Sequence, residues 1–424
     1  MGFLLTLGLK MDCMRKFFAI LLILSIGLPS VYGATKKKIT DPDEALEKAR
    51  EAYLGYDVEQ AREMFDEYSA LMKKKKKTVP DEVEAEMSRV VLMENMLSRV
   101  ERIVIVDTIE VDAEGFFRHY RLSPEAGRLV GGEAIRMPEV EVAYVPQNNS
   151  ELLYADVDTA GVFRLMGADV LDDGTVDHPS PLEGEDLSGG GNAEYPFLMS
   201  DGLTLYYAND GEGSIGGYDI FLTRRDDDGT FLQPQNIGMP YNSPFDDYLL
   251  AIDETTGAGW WATDRNQIPG KVTIYVFMPS ETRVNVEADD ENLISLARLD
   301  DIELTRNGAN VTAVKSKIEG IKQDSGTKNL SGAEFELFIG DTGKVYTTLS
   351  DFRSSRARQA MARAIDARVE IRRIETRLDE LRLKWAKGDK SNGITILNLE
   401  QQLQDARDRL AEATNQAIAE ETGR

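Results

Sequence analysis

The stretch AEYPFLMSDGLTLYYANDGEGSIGGYDIF, residues 193–221, decides the fold. It holds two short aromatic-rich runs, an Asp201-Gly202 reversal between them, and then a loop nearly free of bulk. The Asp-Gly pair suits a tight turn because it tolerates positive φ. One hairpin of an ordinary sheet, the phosphate cradle of a nucleotide enzyme, or one copy of a repeat would each contain such a stretch. The neighbouring sequence selects the repeat. LLYADVD (152–158), LYYANDG (205–211) and WWATDRN (260–266) match one another, and their alanines at 155, 208 and 262 lie 53 and 54 residues apart. A second register agrees: DDGTVDHPSPLEG (172–184) matches DDGTFLQPQNIG (227–238), with Gly174 and Gly229 separated by 55 residues. A looser series, VAYVP (142–146), YPFLM (195–199) and YLLAI (248–252), precedes each aromatic run.

Each unit reads as four short strands, which in the middle copy are YPFLM, TLYYA, YDIFLT and TFLQP. Four-stranded antiparallel units recurring every 40–55 residues or so are the mark of a β-propeller. The expected fold is therefore mainly β with helical flanks, a small three- to four-bladed propeller over residues 102–285. Three units do not close a ring, so strands from 102–111 and a hairpin at 334–350, turning at Asp341-Thr342-Gly343, are expected to complete the last blade. Residues 286–333 read as a polar, weakly structured insertion with some helix.

The segments YPFLMSDGLTLYYAND and GGYDIFLTRR resemble the WD40-like repeats of TolB-type propellers from the Gram-negative cell envelope. The outer copies depart from the pattern at the turn, with Gln147-Asn148-Asn149 in the first and Asp253-Glu254-Thr255 in the third. The resemblance implies a non-enzymatic scaffold or adaptor in the periplasm, peripheral to the outer membrane, with other envelope proteins as partners. The alternative is a carbohydrate- or peptidoglycan-binding propeller, hydrolytic if carboxylates converge on its pore.

Helices flank the repeats. In residues 34–101, Ala45, Ala49, Tyr53, Ala61, Phe65 and Tyr68 recur at helical spacing around a break at Gly55-Tyr56-Asp57, a hairpin similar to a tetratricopeptide unit. One such unit cannot bury its own face, so it must lean on the segment C-terminal to it. KKKKK at 73–77 reads as a solvated helix end, since cations are favoured at helix C-termini. In 351–424, Ala364, Ile371, Ile374, Leu378, Leu381 and Trp385 form one stripe, and Ile396, Leu399, Leu403, Ala406 and Leu410 a second. Gly388, Asn392 and Gly393 separate them, as expected for an antiparallel helical hairpin or coiled coil.

At the N-terminus, Arg15-Lys16 precedes FFAILLILSIGL and PSVYG, the pattern of a secretory signal over residues 1–33 with cleavage between Gly33 and Ala34. The apolar run is shorter than the roughly 20 residues a membrane-spanning helix needs, so no transmembrane helix is expected in the mature chain. The sole cysteine, Cys13, lies upstream of the run, which leaves no acceptor for a lipoprotein acyl chain. A formal charge of −25 argues against a nucleic-acid partner, which requires a basic face.

Little in the sequence supports catalysis, and no cofactor or metal is expected. His119 and His178 are far apart without ligand spacing and read as structural. GEGSIGG (211–217) lacks the spacing and the βαβ context of a dinucleotide loop. DDDG (226–229) lacks the alternating oxygen ligands of an EF-hand. Asp201, Asp219 and Asp264 are the nominal carboxylates for glycoside chemistry. The adjacent pairs Tyr206-Tyr207 and Trp260-Trp261 place one ring on each side of a strand, mostly in the core.

Overall fold

The computed structural model describes residues 39–171, 174–280, 282–306, 308–321, 335–386 and 392–423. The expected signal segment with its Gly33–Ala34 cleavage point, residues 322–333 of the expected insertion, and Gly388 lie outside the described residues.

Three antiparallel sheets carry the repeats. The first contains β2 (Arg128–Gly131), β3 (Val142–Val145), β4 (Glu151–Val157), β5 (Phe163–Val170) and β6 (Val176–Pro181) in chain order. The second contains β7 (Ala193–Leu198), β8 (Thr204–Asn209), β9 (Asp219–Arg224) and β10 (Gln235–Asn236). The third contains β11 (Asp247–Asp253), β12 (Ala258–Thr263) and β13 (Lys271–Met278), and β1 (Val104–Asp112) completes it. The repeat alanines occupy equivalent strands, Ala155 in β4, Ala208 in β8 and Ala262 in β12. β1 pairs antiparallel with β13 from Val104 opposite Met278 to Asp112 opposite Lys271, as expected for a strand supplied from 102–111. β7 lies across β3, β4 and β5, and β11 lies across β7, β8 and β9. Each sheet is open; the first and third do not pair with each other.

A connector from Ala113 to Gly127 bridges them instead. Its Phe116 ring lies 5.2 Å from Tyr248 and 6.1 Å from Tyr195, in edge-on contact. Tyr120 packs on Trp260 at 5.7 Å and donates its hydroxyl to the Leu249 carbonyl at 2.8 Å. Ser123 donates its amide and its hydroxyl to the Asp253 carboxylate, each at 2.8 Å. Tyr144 of the first sheet donates to the Ala126 carbonyl. Rings from all three sheets thus share one core with this segment. Both indoles are buried, on opposite faces of β12: Trp260 inward, Trp261 among Tyr241, Tyr275 and Phe277.

Three expectations are corrected. The TFLQP segment is not a ladder strand; the short β10 takes that place. Phe231 instead bridges two sheets, its amide donating to Glu183 O and its carbonyl accepting from the Glu185 amide, each at 2.9 Å. Only a glycine fits opposite it, since a Cβ on Gly184 would meet Phe231 O at 2.4 Å. The 334–350 hairpin completes no blade. Its strands β14 (Leu337–Ile339) and β15 (Lys344–Tyr346) pair only with each other. Leu337, Ile339 and Tyr346 pack on the C-terminal helices, while Phe338 sits in the first sheet's core and donates its amide to Ala134 O. The described part of 286–333 is not weakly structured. It holds α4 (Leu293–Arg298), α5 (Ile302–Arg306) and α6 (Val311–Gly320), of which α5 and α6 pack along β1. There the Ile105 amide donates to Thr305 Oγ1 at 3.1 Å, and Arg306 donates to Ile105 O. An edge strand needs such partners because unpaired backbone groups cannot be buried cheaply. His119 and His178 are both exposed.

The N-terminal helices α1 (Pro42–Leu54) and α2 (Val58–Lys74) meet through Ala45, Ala49, Ala61 and Phe65, whose small residues permit close approach. α3 (Asp81–Leu97) seats this hairpin on the sheets: Met93, Met96 and Leu97 pack with Ile215, Met239, Val286 and Leu296. Lys73 and Lys74 occupy the last turn of α2.

Thr305→Val lowers stability by about 1–3 kcal/mol in urea unfolding, because the buried Ile105 amide loses its acceptor on α5. Thr108→Val, on the exposed part of the same strand, shifts stability by less than about 0.5 kcal/mol. Equal effects of the two changes would contradict the packing of α5 on β1.

Candidate functional site

The loops at the ends of the strands hold most of the polar chemistry. In GEGSIGG the amides of Ile215 and Gly216 donate to the Asp219 carboxylate at 3.0 Å each, so they are spent internally and form no anion cradle. Gly216 is held against backbone; a Cβ there would meet Phe245 O at 2.0 Å. DDDG is a self-closed turn, with Asp226 Oδ1 accepting the Asp228 and Thr230 amides. His119 lies beside Asp112, its pKa lowered mainly by partial desolvation. His178 Nδ1 stands 3.4 Å from both Asp169 and Asp177 on the surface. Among the described residues, no group of three or more His, Cys, Asp or Glu side chains has a metal-holding arrangement.

The three nominal carboxylates do not converge. Asp201 sits in the turn before β8, accepting from the Leu203 and Thr204 amides and the Thr204 hydroxyl. Asp219 follows the far end of β8, about 20 Å away at the rise of an extended six-residue strand. It is fully buried, accepts from the Asn236 amide as well, and is pushed up to about 8, chiefly by burial. Only Asp264 reaches solvent at that end, and its neighbours are other residues.

Those neighbours form an acidic, tyrosine-rich patch. Tyr195 donates to Glu141 Oε2 at 3.0 Å, and Tyr218 donates to Glu194 Oε1. The Tyr218 amide donates to Asp246 Oδ1 at 2.8 Å, and the Asp246 amide to Asp264 Oδ1 at 2.9 Å. Tyr195 and Tyr248 stack at 5.0 Å. Burial and then the Asp246 charge push Asp264 up to about 7. Asp246 is raised by burial and next by Asp247 and Asp210. Behind the patch, Asp247 is wholly buried and pairs with Arg265 at 2.6 Å. The sequence carried a signal for this gathering. Glu141, Glu194 and Asp247 each immediately precede the first residue of the looser repeat series, so the period that places the aromatic strands also places an acid at the same end of each sheet.

A second surface lies on the C-terminal helices α7 (Ser355–Ala386) and α8 (Gly393–Thr422), which pair antiparallel. Their buried positions, Ala360, Ala364, Ala367, Ile371, Ile374, Leu378 and Leu381, alternate by four and three residues, the heptad rule of a coiled coil. Arg382–Glu400, Arg407–Glu375 and Arg409–Glu370 pairs flank the seam. The lower half docks on the β hairpin and, through Arg368–Glu133, on the sheets. Higher up, Leu378, Ile396, Leu399 and Leu403 pack within the helix pair itself. Ile394 and Leu397, at its upper end, are 77% and 66% exposed. Between the lower half and the sheets runs a groove of about 2350 Å³ lined by Ile135, Arg136, Trp260, Ile318, Ile371 and Leu410 among others.

Comparison with protein-family models, with curated proteins and with solved structures gives no match.

The raised Asp264 has a consequence for stability. Between about pH 4, the ordinary carboxylate range, and pH 7, the folded chain keeps a proton that the unfolded chain has released. That contribution is complete at the acid end and disappears as pH rises through the window. Asp264→Asn should match the parent near pH 4.5 and exceed its unfolding free energy by about 1 kcal/mol or more at pH 8. Parallel profiles for the two proteins across this range would show that Asp264 is not buried among carboxylates.

Proposed function

We propose that this protein is an exported, non-enzymatic scaffold of the periplasm or inner face of the outer membrane, in which three sheets serve as vanes of a small TolB-like propeller and hold helical arms for other envelope proteins. One observation carries the reading: the upper half of the α7–α8 pair satisfies its seam internally and leaves Ile394 and Leu397 in solvent. A helix pair stabilised by its own heptads needs no exposed apolar tip for folding, and such residues are what helix-in-groove or tip recognition uses. The space between the sheets also favours a scaffold over a glycosidase. It is packed with Phe116, Tyr120 and Tyr248, and Asp201 lies at the opposite end of β8 from Asp219.

The test is a shortened arm. Replacing residues 376–406 by a short Gly-Asn-Gly turn keeps Glu375 opposite Arg407 and leaves the docked half in place. The melting transition of the sheets should stay within a few degrees of the parent, while the envelope proteins recovered after crosslinking in the native host should be lost. Undiminished recovery of the same proteins would refute the arm as the docking element. Retention on peptidoglycan with no protein recovered by either form would favour the glycan-binding alternative.

A further inference from the structure

We propose that Asp246, Asp264 and Tyr248 form a receptor for a primary ammonium group. Each carboxylate has one oxygen already engaged by backbone, Asp246 Oδ1 by the Tyr218 amide and Asp264 Oδ1 by the Asp246 amide. Among the described residues this leaves Oδ2 of Asp246 without a partner, and the Asp264 carboxylate with only the Gln267 side-chain amide beside it. The third acceptor is the Tyr248 hydroxyl. Tyr248 is 8% exposed, its hydroxyl makes no hydrogen bond among the described residues, and the charges acting on it are Asp264, Asp246, Glu141 and Asp247. With the ring buried and the hydroxyl among carboxylates, that oxygen is placed to take a partner entering from solvent.

Among the described residues the local charge is uncompensated. Asp246 is acted on by burial, the Tyr218 amide, Asp247 and Asp210, with no basic side chain among them. The nearby cation, Arg265, is consumed behind the patch by Asp247, Pro240 O, Tyr241 O and Thr263. The exposed Gln267 amide, which leans on Asp264, is neutral and displaceable. An ammonium offers three donors and no acceptor, which matches two carboxylate oxygens and a hydroxyl. The ring of Tyr195, stacked on Tyr248, adds a π face beside the charge. A divalent metal fits less well, because no three of these carboxylates have a metal-holding arrangement. A planar guanidinium presents five donors in a fork, more than the three acceptors can use.

The inference stands whether or not the helical arm docks a partner. It is tested by calorimetric titration at low salt with Nα-acetyl-lysine methylamide, with spermidine, and with Nα-acetyl-arginine methylamide as the guanidinium control. One-site binding of a primary amine is expected, weakened about tenfold or more by Asp246→Asn or Asp264→Asn and severalfold by Tyr248→Phe, which preserves the ring packing. The guanidinium probe should bind more weakly, and Asp201→Asn should leave all titrations unchanged. Binding of the lysine probe identifies a partner's lysine side chain as the source; binding of spermidine alone identifies a free polyamine. Absence of saturable binding by both amines overturns the proposal. So does binding that Asp246→Asn, Asp264→Asn and Tyr248→Phe all leave unchanged, since that is nonspecific attraction to a chain of formal charge −25.

Discussion

The ladder between β1 and β13 is the constraint on which the rest of the molecule depends. It places the first strand of the β region on the outer edge of the last sheet, opposite residues more than 150 positions later. The chain must then travel from that edge to the first sheet, and the connector through Phe116 and Tyr120 makes the crossing between the faces of all three sheets. A core that would otherwise have one open side is filled by the segment needed to reach it. The same ladder exposes the other edge of β1, which α5 covers with a threonine hydroxyl and an arginine.

The polar loops derive from the sheet geometry. Strands entering each sheet at one end carry an acidic residue just before the first inward-facing side chain. Three sheets sharing a core bring those acids together. Asp247 descends into the core and takes Arg265 with it, an arrangement that is costly unless both charges are paired and hydrogen-bonded, as they are. Asp246 and Asp264 remain nearer solvent, where burial raises both, Asp246 adding to the shift of Asp264 and Asp247 and Asp210 to that of Asp246. Folding and polarity are therefore coupled here: the ordering of the repeats concentrates negative charge that the local sequence does not offset.

The C-terminal helices are attached differently. Phe338 places one ring in the first sheet while its neighbours Leu337 and Ile339 face the helices, so a three-residue strand rivets two cores through alternation alone. Above this rivet the pair depends on its own heptads and cross-helix ion pairs, and it extends away from the sheets.

Much of this was legible in the sequence. The period of 53–55 residues assigned Ala155, Ala208 and Ala262 to equivalent strands, the three- and four-residue spacings marked both helical hairpins, and 102–111 was identifiable as a strand lent to the sheets. These features are local or strictly periodic, and backbone alternation writes them directly into residue order. Other features were not legible. Nothing in TFLQP states that Phe231 will bridge two sheets instead of extending one. Nothing in EFELFIG assigns its strand to the helices, and nothing in Asp201, Asp219 and Asp264 says that only the last will face solvent among other acids. Such outcomes depend on which edges and faces meet after the chain has folded. Burial and pairing then decide between alternatives that are nearly equal in local propensity, and only the tertiary structure holds that information.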